Sequence, residues 1–448
     1  MSNEDFRATP ETPIVQLIRP FQEFAARETS GGILLLFCTL LALVWANSPW
    51  AHSYAALWHT QLTLGFGEFT VIRDLHFWVN DALMAIFFFV VGLEIKRELL
   101  VGELAVPRQA ALPIAAALGG VVMPALIYTA FNSGGPGAAG WGIPMATDIA
   151  FVIGVMALLG DRVPTSVKVF LTALAIVDDI AAVLVIAVFY TEQIRWTALG
   201  LVLVCLGVLL IANRMGVRHT LVYGVIGCIL WGAFLHSGVH ATIAGVVLAM
   251  TIPSRTVLAP SQFLSHSRAV LEQFEQAAES TSIMMKDEEL QAGIEALEDS
   301  CEKVQPPLHR LERGLHPWVT FFIMPVFALA NAGVPLGAGL TAFSQPVMVG
   351  VMAGLLLGKP LGITLASWLA VRSKLALLPE GVSWNHIHGA GWLAGIGFTM
   401  SLFITGLAFR DEALMTIAKL GILVGSALAG CVGSVLFLRQ SVRKVDAS

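Results

Sequence analysis

The sequence predicts an all-α polytopic membrane protein of about twelve transmembrane helices. Three observations carry this. Of the 448 residues, 56% are hydrophobic and only 13% are charged, against about 25% charged in an ordinary soluble chain. Mean hydropathy is +0.77. Apolar stretches of roughly 18 residues or more recur along the chain, long enough to cross a bilayer core. Together these exclude a soluble globular protein, a disordered chain and a disulfide-built secreted scaffold.

Taken in order, residues 1–30 form a polar tail, MSNEDFRATPETPIVQLIRPF at its start, without the basic-then-apolar pattern of a cleaved signal. Spans are expected near 31–49, 78–98, 105–131, 142–160, 165–190, 196–213, 219–235 and 238–253, and again near 317–333, 346–371, 388–409 and 414–438. The chain thus divides into a tail (1–30), spans one to eight (31–253), a long loop (254–315), spans nine to twelve (316–439) and a short tail (440–448). An even number of spans puts both termini on one side. With that side cytoplasmic, most of the 26 basic residues fall on cytoplasmic segments, among them Lys96, Arg97, Arg108, Arg214, Arg218, Arg372 and Lys374. Only Arg73, Arg195 and Arg410 remain on the opposite loops, as the positive-inside rule requires.

Within the first outer loop, 57–73, the run QLTLGFGEFTVI alternates around Gly65 and Gly67 and predicts a β-hairpin. In the loop 254–315, SRAVLEQFEQAAES and DEELQAGIEALEDSCEKV predict acidic amphipathic helices of a solvated insert. The five cysteines, Cys38, Cys205, Cys228, Cys301 and Cys431, have no metal-ligand spacing and are expected to be packing residues without disulfides. No phosphate-binding glycine loop, HExxH motif or nucleic-acid-binding patch is present.

Ionisable groups inside a bilayer are expensive, so each marks a candidate site. Asp178 and Asp179 lie in FLTALAIVDDIAAVLVIAVF. Neighbours on a helix point about 100° apart, so one carboxylate is free to face a cavity while the other faces a neighbouring helix. Thr147 and Asp148 lie in GWGIPMATDIAFVIG, where Pro144 and the small residues disfavour a regular helix. Asp148 is placed either to offset the positive end of a half-helix or simply to cap it. Lys359, bracketed by Gly358 and Pro360, needs a carboxylate partner at mid-span, and Asp178 or Asp179 is the candidate. Glu94 and Glu98 stand four apart, on one helix face, at the end of the second span. They are placed to attract cations and respond to protons, or to form an ordinary solvated helix end. A dehydrated carboxylate binds either a proton or a small hard cation that prefers oxygen ligands. Competition for one such site, with alternating access, is sufficient for antiport.

VGLEIKREL, GIPMATDIAF, LTALAIVDDI, SGVHATIAG, HPWV with NAGV, GKPLGI and GIGFTMSLFI, in this order over about residues 15–440, resemble the NhaA family of bacterial sodium/proton antiporters. The resemblance implies inverted-topology repeats in which the third to fifth spans match the tenth to twelfth, and two discontinuous helices, the fourth and eleventh, crossing at mid-membrane. It implies an electrogenic, pH-regulated exchange of Na+ (also Li+) for H+ across the bacterial inner membrane, with no cofactor. Asp178 and Asp179 would be the cation and proton site, with Lys359, Thr147 and Asp148 around it. Glu94 and Glu98 would serve the pH response at a cytoplasmic funnel. The outer hairpin would join a homodimer. The loop 254–315 is long for the family. An intramembrane aspartyl protease also uses membrane carboxylates, but its GxGD pattern is absent here. A sodium-coupled symporter would need a polar organic-substrate pocket, and none is visible in the sequence.

Overall fold

The computed structural model describes residues 29–66, 69–191, 194–255, 260–279, 283–338 and 343–445. The expected tail up to 28, with Arg7, Arg19 and Arg27, lies outside the described residues, as does Gly67. Nine helices are long and apolar enough to cross a membrane among the described residues, or eleven if two bent pairs are each counted as one span. The chain is therefore a multi-pass membrane protein. Large apolar side chains stand exposed along its helices, for instance Leu203, Val204 and Ile211, as expected where the medium is hydrocarbon.

Two expected spans take another form. The first is a helix Thr29–Ala46 followed at a 116° bend by Ala51–Trp58. Asn47 fastens the bend, donating to Leu43 O and Val334 O at 2.8 and 2.9 Å and accepting from Leu336 N at 2.7 Å. The eighth, expected at 238–253, holds only the nine-residue helix Ile243–Thr251. At 1.5 Å per residue this spans about 14 Å, half of a core about 30 Å thick. Gly238, in the left-handed region at φ 85°, ends the preceding helix Thr220–Ser237 and displaces the start of the next.

The hairpin is present: β1 (Gln61–Phe66) pairs antiparallel with β2 (Phe69–Asp74), Gln61 opposite Asp74 and Phe66 opposite Phe69. The insert contains helices Pro260–Glu279 and Ile283–Val304. Its end was expected at 315, but the ninth span begins at Pro307 and runs to Asn331. The last helix continues to Val445. All five cysteines are free; only Cys205 is buried, and Cys228, Cys301 and Cys431 are exposed, so the packing role expected for the set does not hold for these three.

By contacts the chain forms two compact units. Of the described residues, the larger takes those within 29–83, 103–190 and 320–445. Within it helix Pro107–Asn132 packs on Lys359–Arg372, through small residues that let the backbones approach. A Cβ on Gly358 would stand 2.7 Å from Pro124 Cα, so glycine is required in the turn that delivers Lys359. That turn, Gly354–Gly358, is π-helical, a local widening frequent at functional sites. The smaller unit takes the described residues within 84–102 and 191–319. There the short helix Ile243–Thr251 lies against Met84–Val101, and Lys96 Nζ closes its end by donating to Met250 O and Ile252 O at 2.7 and 2.5 Å.

Candidate functional site

In the larger unit two interrupted helices cross. The first is a tight 3-10 segment, Ala138–Met145, that gives way to extended backbone and restarts as Ile149–Leu159. Pro144 lacks the amide that would continue the helix, and Asp148 caps the restart. The second runs Trp384–Ala394, breaks at Gly-Ile-Gly (395–397) and restarts as Phe398–Ala408, bent by 48°. The breaks satisfy each other: Asp148 N–H donates to Ile396 O at 2.7 Å, and Ser401 Oγ donates to Ile143 O at 2.8 Å. Backbone freed by a break inside a membrane must find such partners.

Asp148, 1% exposed, has both oxygens engaged. Oδ1 accepts from Phe151 N at 3.0 Å; Oδ2 accepts from Thr399 N at 3.0 Å and Thr399 Oγ1 at 2.5 Å. One carboxylate therefore caps the N-termini of both restarting helices. Thr399 was not singled out from the sequence; the signal available was a hydroxyl two residues beyond the Gly-Ile-Gly break.

Beside the crossing, Thr147, Asp178 and Lys359 meet. Lys359 Nζ donates to Asp178 Oδ2 at 2.5 Å, with the lysine side chain 0% and the aspartate side chain 1% exposed. Thr147 Oγ1 lies 2.6 Å from the same Oδ2 and 3.0 Å from Ala394 O. Its hydroxyl has one proton for these two acceptors. With Asp178 ionised the proton goes to Oδ2. A proton taken up by Asp178 falls to Oδ1, because Oδ2 already accepts from Lys359 Nζ and Thr147 Oγ1. Asp178 Oδ1 is buried without a hydrogen-bond partner. Asp179, on the same helix Thr165–Phe189, is also buried, at 3%.

Glu94 and Glu98 belong to the smaller unit and form a separate cluster there. Arg97 joins Glu98 at 3.2 Å and Glu312 at 2.5 Å, so the group is a charge network with half-buried members, not a freely solvated helix end. Glu312 was missed because its segment reads as loop; the apolar period of PLHRLERGLHPW, continuous with VTFFI, was the sign that the span starts earlier.

A multi-pass protein that gathers aspartates, a lysine and two broken helices inside its membrane-spanning segments is a secondary transporter of small ions. The family described as Na+/H+ antiporter 1 matches residues 22–437, and the chain belongs to it. Among its relatives, the Na(+)/H(+) antiporter NhaA of Oleidesulfovibrio alaskensis is 53% identical over 437 residues, covering 97% of both chains. That of Koribacter versatilis is 51% identical over 438 residues, 98% of this chain and 95% of its own. The Na(+)/H(+) antiporter NhaA 2 of Syntrophotalea carbinolica is 50% identical over 433 residues, 96% and 99%. The protein is a sodium/proton antiporter, a transporter and not an enzyme, and the transported ions are its substrates.

Proposed function

We propose that Asp178 and Asp179 bind sodium and protons in competition, in an electrogenic, pH-regulated exchange that also accepts lithium and exports the cation across the bacterial inner membrane. The observation that carries this is the buried Asp178–Lys359 pair beside the crossing. An ammonium and a sodium ion compete for the same carboxylate, so the ion's arrival breaks the Asp178–Lys359 pair; electrogenic exchange then requires that more than one proton leave Asp178, Asp179 and Lys359 together for each sodium bound, and those protons are the coupling. Asp178 Oδ1, without a hydrogen-bond partner, supplies an oxygen ligand of the kind a hard cation takes, and Thr147 supplies a second. Asp148, its lone pairs committed to two helix N-termini, serves charge balance at the crossing. The direct test follows ΔpH in everted membrane vesicles on addition of Na+, Li+ or K+. Sodium and lithium, but not potassium, dissipate the gradient; equal responses to all three would refute the assignment of the cations.

Each triplet 107–189 and 346–445 has its middle helix broken, which supports reading the two as inverted-topology repeats. The distribution of Lys and Arg supports cytoplasmic termini, with 254–306 on the same side; residues 237–251 run from Arg195 N to Asn213 Nδ2, the two ends of helix Trp196–Arg214, so the segment with the short helix Ile243–Thr251 still completes a crossing.

For the pH response we assign the network of Glu94, Glu98, Arg97 and Glu312. Glu94→Gln or Glu98→Gln, measured as exchange rate over a pH series at several sodium concentrations, is expected to shift the pH profile or raise the apparent KM several-fold, with a smaller loss at the optimum. An unchanged profile and KM in both variants would make the network structural only.

The hairpin fits a homodimer contact. A lone two-stranded sheet has two open edges and marginal stability, and Leu62 and Ile72 on it are 39% and 56% exposed. Cross-linking of the protein lacking 61–74 should yield monomer; a persistent dimer would move the interface elsewhere.

A further inference from the structure

The half-helix Trp384–Ala394 ends on Ala394, whose carbonyl faces Thr147, and packs on the helix that starts with Lys359. Gly391 closes this contact: a Cβ there would lie 2.9 Å from Pro360 Cα. A polar chain runs along the half-helix and crosses to the other helix at one bond. Trp392 Nε1 donates to His388 Nε2 at 3.1 Å. His388 Nδ1 lies 3.1 Å from Thr364 Oγ1, and Thr364 Oγ1 donates to Pro360 O at 2.6 Å, one residue from Lys359.

The protons in this chain have a single consistent arrangement. The indole N–H only donates, so His388 Nε2 carries the lone pair. The threonine proton goes to Pro360 O, so Thr364 Oγ1 accepts from His388 Nδ1–H. All three contacts are satisfied by neutral imidazole alone; a doubly protonated ring would set two N–H groups against each other at Trp392. The ionisable groups on the elements packed against this half-helix are Lys359 and Arg372, Lys168, Asp178 and Asp179, Asp148, and Glu412, Lys419, Cys431 and Arg439. The ring nitrogens of His388 are engaged by Trp392 and Thr364 and by none of these.

We infer that His388 is a positioning residue for the exchange: its ring, oriented by Trp392 within the half-helix that faces Thr147, bonds across to Thr364 and so fixes that half-helix in register with the helix that carries Lys359, and it does so only while neutral. The inference rests on the proposed ion site at Asp178 and Lys359. Loss of the register misplaces Ala394 O and Thr147 relative to Asp178, so the sodium affinity falls. Proton uptake by His388 adds an acid-side control separate from the carboxylates.

The test uses the purified full-length protein in proteoliposomes, with exchange measured against sodium concentration over a pH series. His388→Leu removes both hydrogen bonds and should raise the KM for sodium roughly five- to tenfold, the equivalent of about one lost hydrogen bond. His388→Gln retains a donor and an acceptor and does not titrate. It should stay within about twofold of the wild-type KM, and its acid-side half-maximum should move to lower pH. Trp392→Phe frees Nε2 to take a proton, so its acid-side half-maximum should move to higher pH. Opposite shifts in the His388→Gln and Trp392→Phe variants are the signature; a mere packing role lowers both alike. Shifts of the same sign, no shifts, or equal damage from His388→Gln and His388→Leu would overturn the inference. If the His388→Leu variant fails to fold, the other two variants decide. Asp178→Asn measured alongside separates the two levels: were it fully active, the ion site itself would be wrong; were it inactive with the His388 and Trp392 variants unaltered, only the positioning role would be lost.

Discussion

Asp178→Asn and Asp179→Asn are each expected to abolish or severely impair sodium-dependent proton flux while the protein still inserts. An amide keeps the size and polarity of the carboxyl but neither releases a proton nor offers an anionic oxygen, so exchange of one ion for the other has no site. For Asp178 the loss has a second source. Lys359 Nζ, 2.5 Å from Oδ2, would face a neutral group while buried, and a buried charge without its counter-charge is among the most costly arrangements in a protein. The measurement is ²²Na+ or ΔpH-coupled flux in vesicles containing equal amounts of purified, correctly inserted variant. Wild-type rates in either variant would remove that aspartate from the mechanism.

The second large effect is at Lys359. A mid-membrane ammonium costs at least about 2.5–3.5 kcal/mol on insertion scales, and it persists here in a pair with Asp178. Lys359→Leu leaves a buried carboxylate uncompensated, a loss of about 3–5 kcal/mol, and the melting temperature should fall clearly. Adding Asp178→Asn removes the second charge, so part of the lost stability should return. Thr147 Oγ1 remains to hydrogen-bond the amide, as it does the carboxylate. Strictly additive losses in the double variant would show that the two residues are not energetically paired.

The residues of this site were legible one at a time because a charge inside an apolar run is conspicuous. Asp178, Asp179, Lys359, Thr147 and Asp148 all stood out in that way, and so did the break around Pro144. Which aspartate meets the lysine was not legible. Asp178 and Asp179 differ by one step of a helix, and the choice between them depends on how helices 181 residues apart in sequence are rotated against each other. The partners of Asp148 were half legible: capping of its own helix follows from local sequence, whereas the bonds from Thr399 span 251 residues. Glu312 was hidden by composition, since a membrane helix that begins with an amphipathic turn looks like the solvated insert before it. Gly238 shows the opposite limit. A run of apolar residues near 238–253 has the composition of a span, but a single left-handed glycine shortens it to nine helical residues.

The double cap at Asp148 bears on how the transporter feels membrane voltage. The start of a helix carries about half a positive charge, and two starts converge on Asp148, whose carboxylate, when ionised, would match them. With Asp148 ionised, the crossing would be electrically silent at that point. When it shifts, no net charge would then travel with these three groups across the field, and the potential, worth about 2.3 kcal/mol per unit charge per 100 mV, would exert no force on them. The driving force of the membrane would act instead on what is not cancelled: the transported ions and the carboxylates proposed to trade them.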